Sequence, residues 1–587
     1  MDNSLSAIIS RMFIPTTLDE VKRLGWNSLD VILITGDAYL DSSFIGVAVI
    51  GKVLLKAGYK VGIIAQPDMN SPGDIMRLGE PALFWGVTAG AVDSMVANYT
   101  SLLTKRRDDD FTPGGNNIKR PERAAIAYTN LIKKYFKKTK PVILGGIEAS
   151  LRRMAHYDYF TDSVRRSVLF DAKADILVYG MGEKAILEIA SALKTGMDWK
   201  NIKGICYASG EKKKDFLEVA SFEEVKTDKK KFAEMFGLFY ENTDPVSAKG
   251  LLQKQDTRYL VQNPPQPNLT TPEIDGIYEL DFEREVHPYY KQKGEVRAAE
   301  TVKFSITSHR GCYGECNFCS LTVHQGTTVI SRSKESILRE AEKLAKRHDF
   351  KGYITDIGGP TANMYGIECT KKIKEGRCKD RKCIYPQVCP KLKVNHAAQI
   401  ELLKRIAQIP GVKKVFIASG LRYDMILEDR SFGLEYMEEL VKNHVSGQLK
   451  IAPEHVSEKV TALMGKTKAA QLRKFKELFD TLNEKHKKNQ FLTYYMIAAH
   501  PGCELLDMKE LRAFVQKELK MTPEQVQVFT PTPSTYSTLM YHTGYDPFSG
   551  KKLFVEKSLR AKRAQKDVMF EIPEDKGYRG KGIPLGD

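Results

Sequence analysis

The chain has 587 residues, more than one hydrophobic core can organise, and this length predicts several domains' worth of structure. With 42% apolar and 28% charged residues it has the composition of a globular protein, and no apolar run approaches the roughly 18 residues of a membrane span. Residues 1–15 lack the pattern of a signal peptide, so we expect a cytoplasmic protein with no membrane partner. The net charge of +17 favours an anionic partner, such as a nucleotide, RNA or an acidic protein.

Residues 1–209 alternate short apolar runs with helical patterns, which predicts a Rossmann-like, doubly wound parallel sheet. Glycines follow several of the predicted strands, at the edge of such a sheet where ligands bind. They equally permit tight turns. The predicted strands are 30–35, 60–65, 82–87, 141–146 and 175–180, and the glycines are Gly36, Gly145, Gly146, Gly180 and Gly182.

Two further segments of the first 300 residues have a distinct composition. Residues 149–166 interleave four arginines with aromatic residues. This pattern is typical of a segment that binds an anionic substrate through charge and stacking, and equally of the edge of an amphipathic helix. Residues 210–300 are lysine-rich and then proline-rich, so we expect a linker or a strap across the surface instead of a domain.

Between residues 301 and 550 the alternation of strands and helices resumes. Six apolar strands separated by amphipathic helices predict a partial (β/α)6 barrel, whose active site lies at the carboxyl ends of the strands. The strands are predicted at 302–307, 352–357, 414–418, 449–452, 491–497 and 526–529.

Three cysteines follow the first strand of this predicted barrel. Cys312, Cys316 and Cys319 lie within eight residues, with Phe318 beside them. A [4Fe–4S] cluster takes four thiolates, so three leave one iron open to a ligand that is not protein. A zinc site completed by His309 or His324 is the alternative.

Four more cysteines lie in an insertion, residues 366–392, within the predicted barrel. Their spacing fits neither the common iron–sulfur patterns nor those of zinc. We expect a second iron–sulfur cluster or zinc, with iron–sulfur favoured, or else redox-inert loop thiols. The four are Cys369, Cys378, Cys383 and Cys389.

The remaining cysteines and the end of the chain carry weaker signals. Cys206 and Cys503 stand alone, and we expect both to serve ordinary packing. Residues 551–566 hold seven Lys or Arg against one Glu, and polar sequence follows, so we expect 551–587 to be a basic, disordered tail.

The pattern C-x3-C-x-aromatic-C resembles the signature of the radical SAM superfamily, where S-adenosylmethionine (SAM) chelates the open iron. The resemblance implies that one electron, from a reductant such as flavodoxin or ferredoxin, cleaves SAM into methionine and a 5′-deoxyadenosyl radical. Further blocks are similar to the uncharacterised YgiQ-type family of that superfamily, for which no substrate is implied. These blocks are GGIEASLRRMAHYDYF, QNPPQPNLT, DIGGPTANMYG and APEH.

The same resemblance implies which residues contact SAM. Residues Gly358 and Gly359 stand where the superfamily has Gly-Gly-Glu for the methionyl amino group, but Pro360 replaces the glutamate. The ribose and carboxylate contacts are expected from Ser419, Arg422 and Glu454, and a cluster-side contact from Phe318. No catalytic acid, base or radical donor for the substrate is identified.

The N-terminal half resembles the cobalamin-binding domain found ahead of many radical SAM cores. The histidine of the cobalamin motif D-x-H-x-x-G is replaced here, because the matching segment from Asp41 to Gly46 has Ser43 at that position. Cobalamin is therefore absent or bound without a protein histidine. Two alternatives to a radical SAM enzyme without cobalamin stay open: a cobalamin-dependent radical methyltransferase, and a non-catalytic iron–sulfur or zinc protein that binds RNA or senses redox state.

Overall fold

The computed structural model describes residues 13–521, 523 and 526–570, which form two α/β halves. The N-terminal half is built on a nine-stranded sheet with the order β10-β11-β12-β9-β8-β5-β4-β1-β3. The strands of this half are β1 (Val31–Thr35), β2 (Leu40–Asp41), β3 (Val61–Ala65), β4 (Phe84–Thr88), β5 (Val142–Gly145), β6 (His156–Asp158), β7 (Ser163–Arg165), β8 (Ile176–Val178), β9 (Ile205–Ser209), β10 (Leu217–Val219), β11 (Leu251–Gln255), β12 (Arg258–Gln262) and β13 (Glu285–Val286).

The five strands predicted for the N-terminal half form the parallel centre of this sheet, which confirms the doubly wound fold. β8, β5, β4, β1 and β3 pair in parallel, in that spatial order. Every residue of β1 and β3 is buried, since helices cover both faces of the sheet. The main helices are Gly46–Lys56, Ala124–Tyr135, Glu183–Thr195 and Lys229–Glu241, and shorter ones are Leu18–Arg23, Gly73–Met76, Ser94–Asn98, Gly146–Leu151, Val168–Asp171, Phe222–Thr227, Thr271–Tyr278, Pro288–Lys291 and Ala298–Val302.

The segment 210–300, predicted as a linker, is corrected by the structure, because β10, β11 and β12 extend the N-terminal sheet. β11 and β12 form an antiparallel hairpin whose buried side chains include glutamines. Gln253 accepts a hydrogen bond from the Ala155 amide at 3.0 Å, and Gln255 accepts one from the Ser167 amide at 3.1 Å. Because the buried glutamine side chains have hydrogen-bond partners, they are tolerated inside the protein, and the two strands contain polar residues although they are buried.

The C-terminal half is a partial barrel in which the six predicted strands lie in chain order. β14 pairs with β18, β17 with β19, and β20 with β21 and β22, all in parallel. A parallel bridge from Leu421 to Ile451 joins the third strand segment to the fourth. The strands are β14 (Ser305–Thr307), β15 (His309–Arg310), β16 (Ile330–Ser331), β17 (Tyr353–Ile354), β18 (Asp356–Gly358), β19 (Lys414–Val415), β20 (Gln448–Glu454), β21 (Phe491–Ala498) and β22 (Val526–Val528).

Amphipathic helices cover the outside of the barrel, as the sequence predicts. Two of them continue for one turn as π-helices, Leu440–His444 and Val515–Leu519. No helix among the described residues has both the length and the apolar character that a membrane crossing needs. The helices are Leu321–Gln325, Lys334–Ala345, Thr370–Glu375, Ala397–Ala407, Tyr423–Glu428, Gly433–Glu439, Glu458–Met464, Ala469–Lys485, Leu505–Phe514, Tyr536–Thr543 and Leu559–Asp567.

The basic C-terminal segment is ordered up to residue 570, contrary to the predicted disorder, while residues 571–587 lie outside the described residues. In the helix Leu559–Asp567, Lys562 is only 1% exposed. Its ammonium donates to the Tyr159 hydroxyl at 3.0 Å and to the Tyr541 hydroxyl at 2.8 Å. The Lys562 ammonium, which the composition of the segment predicts to be exposed to solvent, is thus stabilised by buried hydroxyls and aromatic ring faces.

Candidate functional site

The cluster loop, residues 312–319, lies at the carboxyl end of β14, directly after the short strand β15. Two glycines let it turn sharply. Gly311 has a φ of +79°, and a Cβ there would stand 2.1 Å from the Thr328 carbonyl oxygen. A Cβ on Gly314 would lie 3.2 Å from the Cys312 sulfur and 3.7 Å from the Cys316 sulfur. A side chain at Gly314 would therefore crowd the Cys312 sulfur and touch the Cys316 sulfur, and glycine keeps the space beside both thiols free.

Hydrogen-bond donors surround the sulfurs of this loop. The Gly314 amide donates to the Cys312 sulfur at 3.3 Å, and the Thr361 hydroxyl lies 3.4 Å from the same atom. The Arg422 guanidinium donates to the Cys316 sulfur at 3.4 Å. Burial raises the pKa of Cys312, and it raises the pKa of Cys319 to about 12. Such thiols become thiolates when iron binds, and N–H donors to thiolate sulfur are characteristic of iron–sulfur sites.

The donor set of the cluster loop consists of three thiols. Within the described residues, no three His, Cys, Asp or Glu side chains are placed to hold a single metal ion. In a [4Fe–4S] cluster each thiolate binds a different iron, so its ligands need not converge on one point. Three half-buried thiols flanked by donors therefore match the predicted cluster by the chemistry of the donor set.

Arg422 lies against the cluster loop and also forms a buried ion pair. Its Nε donates to Asp424 at 2.9 Å and its Nη2 donates to the second carboxylate oxygen at 2.5 Å. Burial lowers the pKa of Arg422, but the carboxylate of Asp424 more than offsets this, and the net pKa is raised. The Arg422 guanidinium, predicted to bind a ligand carboxylate, thus already uses two of its nitrogens to bind Asp424. The sequence analysis missed this partner.

Phe318 and Glu454 meet at a lysine that the sequence analysis also missed. The Lys466 ammonium lies 3.4 Å from the Glu454 carboxylate, donates to the Ala452 carbonyl at 2.8 Å and stands 5.7 Å from the Phe318 ring centre. Burial lowers the pKa of Lys466, yet Cys316 and Glu454 raise it overall, so the lysine stays charged. No pattern marks Lys466, because it follows a helix and not a strand.

The two glycines and the serine predicted to contact SAM come together around Asp356. Ser419 donates to Asp356 from its hydroxyl and, at 3.1 Å, from its amide. A Cβ on Gly358 would stand 3.2 Å from the Ser419 hydroxyl, and one on Gly359 would stand 2.7 Å from the His309 ring. Asp356 was not predicted, although it lies two residues before the glycine pair.

A cavity of about 420 Å³ separates the two halves and is lined by the carboxyl ends of both sets of strands. Its walls are mainly apolar, and its volume is typical of small-molecule sites. The N-terminal half contributes Thr35, Asp37, Ser43, Gly90, Gly145, Gly146, Gly180, Met181 and Gly182, and the barrel contributes Thr307, His309, Asp356, Gly358, Gly359, Pro360 and Ser419. Most of the glycines predicted to mark a ligand edge thus line one chamber with the predicted SAM contacts.

A few polar groups face this cavity. Arg310 donates to Glu183 at 2.6 Å, which joins the two halves by a buried ion pair. The second Glu183 oxygen and the Ser43 hydroxyl are buried without a hydrogen-bond partner in the described part of the chain. Burial lowers the pKa of His309 and of His324 to about 4, so both line the cavity as neutral imidazoles at pH 7. The chamber therefore offers hydrogen-bond anchors with little exposed charge.

The arginines of segment 149–166 have partners inside the protein. Arg152 pairs with Asp93. Arg153 is buried, with its guanidinium 4.6 Å from the ring centre of Tyr179 and 4.3 Å from that of Phe239. This arrangement favours the structural alternative for the segment over an anion-binding role.

The second cysteine group packs beside the cluster loop. Cys369, Cys383 and Cys389 join one apolar cluster with Tyr313, the residue after Cys312, whereas Cys378 lies outside that cluster. The Cys389 amide donates to the Cys383 carbonyl at 2.8 Å. Burial raises the pKa of Cys383 to about 11. Three of the four thiols are thus brought into the same neighbourhood.

Cys206 and Cys503 are both buried. The Cys503 sulfur lies 3.7 Å from the His455 Nε2. Burial raises the pKa of Cys503 to about 12, which leaves it a neutral thiol.

A partial barrel of six parallel strands, with a three-cysteine loop after the first, defines a radical SAM protein. Comparison with known families agrees: the family described as Radical SAM N-terminal matches residues 13–305, and the Radical SAM superfamily matches residues 306–515.

The close relatives share a single description. The UPF0313 protein FN0734 of Fusobacterium nucleatum is 56% identical over 560 residues, covering 95% of this chain and 99% of the relative. A UPF0313 protein of Thermotoga neapolitana is 51% identical over 564 residues, with 95% and 99% coverage. The chain therefore belongs to the UPF0313 family of radical SAM proteins, which confirms the resemblance to the YgiQ-type family.

Among solved structures, the chain is similar to the radical S-adenosylmethionine methyltransferase TsrM from Kitasatospora setae, with cobalamin and a [4Fe–4S] cluster bound. The identity is 14% and the TM-score 0.48, over 87% of this chain and 77% of that one.

Proposed function

We propose that the protein is a radical SAM enzyme in which Cys312, Cys316 and Cys319 hold a [4Fe–4S] cluster. The observation that carries this proposal is the cluster loop at the carboxyl end of β14, beside the cavity of about 420 Å³ between the two halves. When bound, the cluster and SAM supply reductive cleavage to a 5′-deoxyadenosyl radical. The substrate is a molecule small enough for the cavity, and its class is left open.

The residues of this chain hold and position those groups. The Gly314 amide and the Arg422 guanidinium donate to the thiolates and stabilise their negative charge. Gly358 exposes backbone toward the cavity, and Asp356 places a carboxylate beside it. Because Pro360 removes the usual glutamate, Asp356 is the acidic group available there for an ammonium.

The remaining cavity wall is mainly apolar, and its charged groups Asp37, Glu183 and Arg310 form ion pairs within the protein. Apolar side chains dominate, and the two imidazoles of His309 and His324 stay neutral because burial lowers the pKa of each to about 4. A largely apolar surrounding suits a radical intermediate, since exclusion of solvent prevents side reactions.

Anaerobic reconstitution tests the proposal. The protein is loaded with iron and sulfide, reduced with dithionite and given SAM, and we expect 5′-deoxyadenosine. Cys316→Ala should lose the iron of the first group, whereas the control Cys206→Ala, in the N-terminal sheet, should keep it. The proposal fails if fully loaded protein makes no product, or if Cys316→Ala retains all iron. Zinc at all seven clustered cysteines would instead favour a non-catalytic RNA-binding or redox-sensing protein.

Cobalamin-dependent radical methyl transfer is a second candidate function. It is supported by the position of the cavity at the carboxyl edge of a doubly wound sheet and by the unpartnered Ser43 hydroxyl in its wall. Titration with hydroxocobalamin should shift its visible spectrum, without the signature of a histidine ligand. A Ser43→Trp variant, which fills the cavity, should abolish the shift; an unchanged spectrum with the wild type would remove this candidate.

The second cysteine group is proposed as a second iron–sulfur or zinc site. Support comes from the shared location of Cys369, Cys383 and Cys389 beside the cluster loop. Metal analysis of a Cys383→Ser variant tests it: the variant should lose metal that Cys316→Ala retains, and an unchanged metal content would contradict the proposal.

A further inference from the structure

The inner side of the insertion, residues 366–392, lies against the cluster loop and places two cations there. Lys382 donates from its ammonium to the Glu315 carbonyl at 2.8 Å and also to the side-chain oxygen of Asn317. These two residues flank Cys316 in the chain, one on each side. Arg377 lies 3.1 Å from the Glu315 carboxylate. The insertion therefore brings positive charge directly to the segment that carries the middle thiol of the cluster loop.

The charge of Arg377 is compensated by its neighbour. Glu315 is only 1% exposed, and its carboxylate oxygen that contacts Arg377 also accepts a hydrogen bond from the Tyr240 hydroxyl at 3.2 Å. The Arg377 guanidinium lies 4.6 Å from the ring centre of the same tyrosine. Because the two opposite charges are in direct contact, the pair adds no net charge to the surroundings of the thiols.

Two further cations beside the cluster loop are compensated in the same way. Arg422 binds the Asp424 carboxylate through two nitrogens, and Lys466 lies 3.4 Å from the Glu454 carboxylate. Lys382 differs, because both of its hydrogen bonds end on neutral oxygens. Of these four cations, Lys382 is the one that has no carboxylate partner within the described part of the chain.

An uncompensated ammonium at this position favours the reduced form of a cluster. Reduction adds one negative charge to the cluster, and a nearby positive charge stabilises that addition more strongly where water is partly excluded. Lys382 is half-buried, with its ammonium 5.6 Å from the ring centre of Tyr536 and 5.8 Å from that of Phe548. Burial lowers the pKa of Lys382, and the negative charges of Glu315 and Cys316 oppose that shift.

We propose that the insertion sets the reduction potential of the cluster through Lys382, whose positive charge raises that potential. The inference rests on the proposed function, because it needs a [4Fe–4S] cluster on Cys312, Cys316 and Cys319. Lys382 is a positioning residue in this sense: it acts on the cluster from the loop that it holds, and it contacts no reacting atom.

An anaerobic redox titration with titanium(III) citrate, followed by electron paramagnetic resonance, measures this potential. In each reduction the cluster gains one electron and titanium(III) becomes titanium(IV), with no bond to the protein formed or broken. SAM is left out, so the result does not depend on turnover. The signal of the first cluster is identified as the one that is absent from Cys316→Ala.

The variant Lys382→Gln keeps a hydrogen-bond donor but removes the charge. At a fixed solution potential we expect a ratio of reduced to oxidised cluster about ten-fold lower than in the wild type, which for a one-electron couple is a shift of about 59 mV to lower potential. Lys382→Arg keeps the charge and should hold the ratio within about two-fold of the wild type.

A matched control removes the same charge from another position of the insertion. The side chain of Lys379 is exposed to solvent, so water and salt screen its charge from the cluster loop. Lys379→Gln should therefore keep the ratio within about two-fold of the wild type. Iron is quantified in every variant, so that a change in potential is compared only between fully loaded proteins.

Three outcomes would overturn the inference: an unchanged ratio in Lys382→Gln, an equal drop in Lys379→Gln, or a Lys382→Gln protein that cannot retain iron, since Lys382 would then only anchor the loop. Each of them leaves the proposed function standing if the wild type holds a reducible cluster. A wild type without one would overturn the proposed function and this inference together.

Discussion

The two cysteine groups of this chain differ in what approaches their sulfurs. Around the cluster loop, the Gly314 amide, the Thr361 hydroxyl and the Arg422 guanidinium lie within 3.3–3.4 Å of a sulfur. Around the insertion, the Lys372 ammonium lies 3.6 Å from the Cys383 sulfur and the Arg381 guanidinium 3.8 Å from the Cys389 sulfur, which also accepts from the backbone amides of Lys391 and Leu392. Only the Gly314 amide belongs to the short motif itself, because Thr361 and Arg422 lie 49 and 106 residues from the cysteines they approach. The cluster loop therefore gains most of its donors from the folded barrel, whereas Cys389 of the insertion gains its donors from neighbouring residues.

The largest expected difference between the two groups is in product formation. Cys312→Ser should abolish formation of 5′-deoxyadenosine, because the cluster loses one of three protein ligands. Cys383→Ser should leave product formation measurable with dithionite, since the cluster loop is intact. Product is quantified per chain after anaerobic reconstitution, and equal loss in both variants would show that the groups form a single centre.

A second prediction compares the arginines beside the two groups. Arg422→Gln leaves the buried carboxylate of Asp424 without its partner and should lower the free energy of unfolding by about 3–5 kcal/mol. Arg381→Gln changes an exposed side chain and should alter it by less than about 0.5 kcal/mol. Urea denaturation of the metal-free proteins measures the free energy of unfolding of each variant. Similar losses in the two variants would contradict this prediction.

A third prediction concerns pH, because neutral histidines flank only the cluster loop. Burial lowers the pKa of His324 to about 4 in the folded protein, while an unfolded histidine titrates near 6.5. Stability is therefore fully present above pH 6.5 and is lost as the pH falls toward 4, by about 2–3 kcal/mol for this group. His324→Gln should flatten the pH dependence of urea unfolding relative to the wild type; parallel profiles of the two proteins would contradict the assignment.

The smallest expected effect is at the lysine that joins the insertion to the barrel. Lys372→Met removes the hydrogen bond to the Thr327 carbonyl but keeps the apolar stem, and should cost about 1 kcal/mol. The exposed Lys374→Met should change stability by less than about 0.5 kcal/mol. Thermal unfolding compares the stability of the two lysine variants. A larger loss of stability in Lys372→Met than in Arg422→Gln would contradict this order of effects.

The fold was predictable where burial is continuous. β1 and β3 are apolar at nearly every position because helices cover both faces, and such runs are visible in any sequence. β11 and β12 were missed because their buried glutamines are paired by amides from distant segments. The C-terminal helix was missed for a similar reason: the partners of Lys562 lie 403 and 21 residues away.

The candidate site was predictable only where its geometry is local. The cluster loop and the Gly358–Gly359 pair follow strands directly, so chain order places them at the barrel mouth. Lys466 acts through Glu454, a partner that the folded chain brings near, and nothing in its spacing marks it. Asp424 is only two residues from Arg422, but a pair at that spacing need not form an ion pair, so it was missed too. Arg422 was placed correctly at the end of a strand, but its engagement with Asp424 depends on side-chain direction, which periodicity does not specify.

The C-terminal helix described above joins both halves of the molecule: Lys562 contacts Tyr159 of the N-terminal half, and Gln565 accepts a hydrogen bond from the Ala499 amide of the barrel at 2.9 Å. The same helix turn thus holds a tyrosine hydroxyl of one half and a backbone amide of the other. A substitution of either Lys562 or Gln565 would loosen one half while leaving the second contact in place, so the helix acts as a clamp whose two contacts can be removed separately.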